Sequence, residues 1–303
     1  MVKRLYRICE ASKLNDKMQP VYYTNLEETM KHKLLSRIFQ KCRILPLIAF
    51  LVMTVILNGT DAQARFRPKE YDLTLVTQFE NCSSAPPPQQ GLCQGGNWAT
   101  AFTTALYYNT CSQSFEPMPP LSRGELLKCA TTTFDKCANI PPDLSIVTTL
   151  KDYMMSSGLQ SASCVAYKQT LSPTFSATCP TTCDDGSAKV AGTLLSDLTE
   201  LSLAVDVQDW LVDFGAIVVA VKDVPSLNEY KDSSSGIYNI TANEQTFGVR
   251  FLVVVGWSTL ASGEVVWKVQ NTTGDQPGQT GRISMSSQNT NILKYYGFSV
   301  SLF

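Results

Sequence analysis

The sequence is nearly without histidine. Its 303 residues contain one, His32, and that residue precedes the only long apolar run in the chain. Imidazole is the side chain whose unperturbed charge changes near neutral pH. A Ser-His pair, a Cys-His pair and a histidine-bound metal are therefore all excluded from the body of the protein. Charge is scarce as well: Asp, Glu, Lys and Arg make up 17% of residues and the formal net charge is −1, where about 25% charged is usual. That balance gives no reason to expect a nucleic-acid partner. The chain is too apolar, at 44% hydrophobic, to be disordered, and long enough for one large or two ordinary domains.

What charge there is divides along the chain. Residues 1–43 hold ten Lys/Arg and four Asp/Glu, and residues 65–303 hold fifteen and twenty-one. Between them Ile44–Leu57 is an uncharged run of Leu, Ile and Val, followed by a segment ending Ala62-Gln63-Ala64. A basic flank, a short apolar run and an A-x-A ending predict a secretory signal cleaved after Ala64. The alternative is a retained membrane anchor, although a span calls for about 20 apolar residues. Translation from Met30 would leave an ordinary basic region ahead of the run. Domains are thus expected at 1–64, a leader with its apolar core at 44–57, and at 65–303.

Beyond the leader lie eight cysteines, all between Cys82 and Cys183. An even number behind a signal points to disulfides in an oxidising compartment. Metal binding is the competing reading: Cys179-x-x-x-Cys183 is half of a zinc-type spacing, but no second close pair and no histidine completes it. Sequons at Asn81, Asn239 and Asn271 are candidate glycosylation sites. The cysteine-bearing half predicts helices over Trp98–Tyr108, Leu121–Cys129 and Leu144–Met155, and Leu194–Phe214 reads as another, ended by Gly215. The second half predicts antiparallel strands over Ala216–Val221, Val249–Gly256, Glu264–Gln270 and Gly281–Met285.

Gln90-Gly-Leu-Cys93-Gln-Gly-Gly-Asn97-Trp98-Ala99 resembles the active-site segment of papain-type cysteine peptidases, whose Q-G-x-C-G-S-C-W-A run sets a nucleophilic cysteine at a helix N-terminus. Other matches follow in order. Leu121-Ser-x-x-x-Leu126-x-x-Cys129 resembles the family's L-S-x-x-x-L-x-x-C helix. Tyr230-Lys231 with Gly236-Ile237-Tyr238 resembles its Y-K-S-G-V-Y hairpin, and Val255-Gly256-Trp257 the strand after its catalytic histidine. Asn271, Gly274, Gly278 and Gly281 keep the spacing of N-S-W-G-x-x-W-G-x-x-G without its tryptophans. The resemblance covers roughly residues 70–303. It implies an α+β, two-lobed papain-like fold, with a disulfide-rich helical lobe over about 80–195 and an antiparallel β-barrel-like lobe over about 196–303.

Cys179-Pro-Thr-Thr-Cys183-Asp-Asp-Gly and Cys164-Val-Ala-Tyr resemble segments of the cathepsin B branch. That resemblance implies disulfides Cys82–Cys111, Cys93–Cys137, Cys129–Cys179 and Cys164–Cys183. It also implies which residues stand at the catalytic positions. Anchored on Trp98, the nucleophile position falls on Asn97, an amide without an ionisable proton. Anchored on Gly256-Trp257, the base position falls on Arg250, which stays charged at neutral pH, or on Val249 with a shift of one. Gln90 and Asn271 keep the oxyanion-donor and orienting positions, either as functional groups or as structural amides.

Further departures point the same way. The loop before Trp98 is one residue longer than in the family, which is expected to displace the helix N-terminus. Cys137-Ala138-Asn139-Ile140-Pro141 lacks the family's paired glycines and no histidine pair stands between Cys164 and Cys179, and the domain at 65–303 is expected to lack a pro-domain.

The implied function is a secreted, catalytically inactive member that acts as a peptide- or protein-binding or structural module, in an extracellular or lysosome- or vacuole-like compartment. It calls for no metal and no cofactor, and its protein or peptide ligand is unspecified. Two alternatives are a hydrolase with a residual activity or a substitute nucleophile such as Thr100, and a membrane-anchored surface protein if the leader is retained.

Overall fold

The computed structural model describes residues 67–76, 93, 96–114, 119–130, 143–167, 178–190, 192–230, 236–239, 244–272 and 281–301. The chain divides between Phe66 and Arg67 into two units, and every described residue lies in the second. The leader, Asn81, Cys82, Gln90 and Cys137 lie outside the described residues, as do Gly274, Gly278 and the segment 138–141.

The element order is β1 (Glu70–Asp72), α1 (Asn97–Ser114), α2 (Arg123–Cys129), α3 (Ser145–Ser156), β2 (Leu194–Leu201), α4 (Ala204–Asp213), β3 (Ile217–Asp223), α5 (Pro225–Glu229), β4 (Ile237–Tyr238), β5 (Gly248–Thr259), β6 (Val265–Gln270), β7 (Arg282–Ser286) and β8 (Ile292–Ser301). One sheet runs β2-β8-β3-β5-β6-β7-β4, with β1 added alongside β5. Its pairs are antiparallel except β4 with β7. This is the expected α+β, papain-like architecture of helices beside a large, mostly antiparallel sheet.

Helix α1 contains no charged residue and is buried almost all round, the pattern of a helix enclosed by other elements. Its Trp98, Phe102, Ala105 and Leu106 meet one face of the sheet through Phe251, Val253, Val255 and Phe298. The Phe102 ring lies 5.7 Å from that of Phe251. A helix so enclosed must satisfy its own polar groups. Thr103 Oγ1 donates to Ala99 O at 2.8 Å and Thr110 Oγ1 to Leu106 O at 2.8 Å. Asn109 Nδ2 donates to both Ala216 O and Phe298 O, fastening the helix to β3 and β8.

The other face of the sheet forms a second core around Val219, Leu252, Val254, Trp257, Trp267 and Leu211. Strand β5 is thus buried on both faces, which is why it reads, apart from Arg250, as a run of Val, Leu and Phe. β1 lies against its far end, Tyr71 facing Trp257. Gly256 is required there, because a Cβ would run into the Tyr71 carbonyl oxygen. Arg67 holds Asp209 of α4 through two hydrogen bonds of 2.8 Å.

The expected helix over Leu194–Phe214 is corrected. Only Ala204–Asp213 is helical, ended by Gly215 at φ +110°, while Leu194–Leu201 is a strand paired with β8. A β-bulge explains the misleading spacing. Leu195 pairs with Val300 and Asp197 with Ser299, so Ser196 is extra. The bulge puts Leu195 and Leu198, three residues apart, on the same face, both in the α1 core. Leu201 then turns to the opposite core. The resulting apolar interval of three imitates one side of a helix. Strand β8 was not anticipated at all.

Candidate functional site

The candidate site lies where the N-terminus of α1 meets the sheet beside β5 and β6. Cys93 and Gly96 form the turn into the helix, with Gly96 N donating to Cys93 O at 3.1 Å. A side chain at Gly96 would press on the Cys93 sulfur at 2.9 Å and on Leu127, so glycine is the residue that lets this turn close. Cys93 is itself disulfide-bonded. Asn97 is the first residue of α1 and only 4% exposed. Its Oδ1 is buried and finds no hydrogen-bond partner among the described residues.

Arg250 sits on β5 opposite Val221 of β3. Its side chain shares the face of Leu252 and Val254, away from α1, and it is buried. There it makes an ion pair of 2.6 Å, Nη2 to Asp223 Oδ1. Asp223 ends β3 two residues beyond Val221, so the two charges form a diagonal cross-strand pair on one face. Burial raises the Asp223 carboxyl above its ordinary range, with Arg250 pulling it back. Burial likewise lowers the Arg250 guanidinium, and Asp223 opposes that shift. Val249, the shifted candidate, packs in the α1 core instead.

Asn271 follows β6, whose Gln270 pairs with Val253. It is 7% exposed, and its backbone N–H donates to Gly281 O. Next to it Thr272 Oγ1 donates to Phe251 O at 2.8 Å, and Tyr108 of α1 donates to Gln270 Oε1 at 2.9 Å. α1, β5 and β6 are therefore stitched together around the site. Of the two described glycosylation candidates, Asn239 is exposed and Asn271 is buried, leaving no space for a glycan there.

Thr100 is buried and accepts a hydrogen bond from Arg123 Nη1 at 3.4 Å. Two disulfides are described beside this region, Cys129–Cys179 and Cys164–Cys183. Cys111 is also disulfide-bonded. α2 begins at its N-cap Ser122, whose Oγ accepts from Glu125 N at 2.9 Å. The Glu125 carboxylate is in turn buried against Lys189 at 2.5 Å and Gln160 N at 2.7 Å. Sequence reasoning did not single out Asp223, Glu125 or Gln270. A carboxylate at the end of an apolar strand, next to Lys222, was the available signal for Asp223.

The sequence profile described as Papain family cysteine protease matches residues 68–299. The chain belongs to the papain family. Among solved structures, it is similar to proCathepsin B S9 from Trypanosoma congolense, at a TM-score of 0.66 and 22% identity, covering 80% of this chain and 81% of that one. It is also similar to procathepsin L2 from the larval midgut of Tenebrio molitor, at 0.58 and 18%, covering 81% and 72%. Bromelain protease from Ananas comosus, solved with the E64 inhibitor, gives 0.56 and 18%, covering 77% and 100%. Identities this low speak for the fold alone. No curated protein sequence matches the chain. No helix among the described residues is long and apolar enough to cross a membrane.

Proposed function

We propose that this papain-family protein is catalytically inactive and works as a peptide- or protein-binding or structural module. The reading places it in the cathepsin B-like branch and in the secretory pathway, extracellular or in a lysosome- or vacuole-like compartment. One observation carries it: Asn97 stands at the expected nucleophile position, while Arg250, at the expected base position, faces away from α1 in a buried ion pair with Asp223 and leaves Val249 on the α1 side. Thiol hydrolysis requires a thiolate and a group that takes and returns its proton. A carboxamide supplies no such nucleophile, and a guanidinium held by a carboxylate is no general base. Thr100 offers no substitute, since the group it meets is a second guanidinium, Arg123. The bridges Cys129–Cys179 and Cys164–Cys183 support the branch assignment.

The test is a turnover assay of the purified protein on a panel of fluorogenic peptides. The expected result is no hydrolysis above buffer, together with measurable binding of peptides from the same panel. Turnover that disappears in a Gln90→Ala variant would overturn the inactive reading.

A further inference from the structure

α1 also borders a cavity that the cleft residues do not share. Its Thr104 and Tyr107 lie seven and ten residues after Asn97, which puts them about 10–15 Å along the axis at 1.5 Å per residue. There a cavity of about 320 Å³ opens between α1, the segment entering α2, and the turn at 162–167. Its size is at the lower end for small-molecule sites, about 300–1,000 Å³, and it suits one or two fused rings rather than a peptide.

The walls combine three tyrosine rings with aliphatic side chains. Tyr107 and Tyr108 line one side with ring centroids 5.9 Å apart, and Tyr167 lines the other. Arg123 lies 3.4 Å over the Tyr167 ring, which holds that ring as a flat surface. Leu121 adds aliphatic wall. The polar atoms of this lining are largely committed within the protein: the Tyr108 hydroxyl to Gln270, and the Thr103 hydroxyl to Ala99 O. What a guest meets is mostly ring surface and hydrocarbon, with the Thr104 hydroxyl and the Arg123 guanidinium as the polar groups of the wall. Flat π-rich walls favour offset or edge contacts with another ring, and the nearby Arg123 disfavours a cation.

We propose that this cavity is a binding site for a small, planar, uncharged aromatic molecule of one or two fused rings. The site is independent of the papain cleft and of whether the protein is active.

The experiment titrates the purified protein with 2-naphthol and with its saturated, non-planar analogue decahydro-2-naphthol, read by methyl NMR. For 2-naphthol, saturable binding is expected with intermolecular NOEs from its ring protons to the methyls of Thr104, Ala162 and Ala166. The saturated analogue is expected to bind about tenfold more weakly or less. Ala162→Phe and Thr104→Phe fill the space, and each variant that keeps the wild-type circular dichroism is expected to lose about tenfold in affinity or more. Absence of NOEs to those methyls at saturating 2-naphthol overturns the proposal whatever the variants do. Equal binding by a folded filled variant, or by the saturated analogue, overturns it too.

Discussion

Arg250 and Asp223 are two buried charges in strands made mostly of Val, Leu, Ile and Phe. Removing one partner of a buried pair leaves an uncompensated charge in an apolar setting. Arg250→Met is therefore expected to cost about 3–5 kcal/mol of unfolding free energy, measured by urea denaturation at pH 7. Asp223→Leu in the same chain should recover most of it. The pH dependence has a definite sign. Burial raises the folded-state Asp223 pKa above 3.8, so the folded state holds that proton more tightly. Its contribution is greatest below the unfolded value and is lost as pH rises through the folded one. Without Arg250 the rise is larger. The deficit of Arg250→Met should shrink as pH falls from 7 into the acid range, and a constant deficit would count against a charged Asp223 as its cause. Asn97 allows a separate check. Asn97→Cys restores a thiol at the helix N-terminus but no base, and the position is buried, so the variant should react with iodoacetamide slowly until unfolded and hydrolyse no peptide. Both residues could be proposed from the sequence because the argument for them rests on residue type at motif-anchored positions. The Asp223 partnership could not, since a diagonal contact depends on the strand register.

Element boundaries depended on whether the local period told the truth. It did for α1, where an uncharged apolar stretch after Gly95-Gly96 had no other reading, and for β3 and β5, rich in Val. It failed for β2, where the bulge at Ser196 gave a strand the apolar interval of a helix. That account has a consequence. Deleting Ser196 removes the bulge while leaving Leu195 opposite Val300 and Leu198 opposite Phe298. The variant should unfold within about 1 kcal/mol of wild type, the loss being mainly the hydroxyl contact of Ser196 with Ser299 at 2.7 Å. Deleting Thr199 instead throws Leu201 out of the second core, and should cost about 2 kcal/mol or more. Thermal or urea unfolding of the two deletions side by side checks this. Equal costs would mean that register does not govern this segment.

At the scale of the whole molecule, the cysteines beyond the leader all fall between Cys82 and Cys183, and the described sheet strands are joined by backbone ladders and buried apolar faces without a cysteine. Less legible was that one strand, β5, serves both cores. Apart from Arg250 its two faces are alike in apolar side chains, so the sequence hardly separates the wall toward α1 from the wall toward Trp267. The cysteine distribution nonetheless makes a mechanical prediction. Cys129–Cys179 closes a loop of 50 residues and Cys164–Cys183 one of 19. By the chain-entropy relation these restrict the unfolded chain by about 4 and 3 kcal/mol. None of the described sheet strands carries a cysteine, so reduction acts on the segments around α2, the turns at 161–167 and 181–188, and α1 at Cys111 and the Cys93 turn before it. Hydrogen exchange after mild reduction should therefore show protection lost first at Glu125, Leu126 and Val165 while the amides of β3 and β5 keep theirs. Loss of protection in both regions together would mean that the two cores unfold as one cooperative unit through α1, whose Asn109 ties the cross-linked half to β3 and β8.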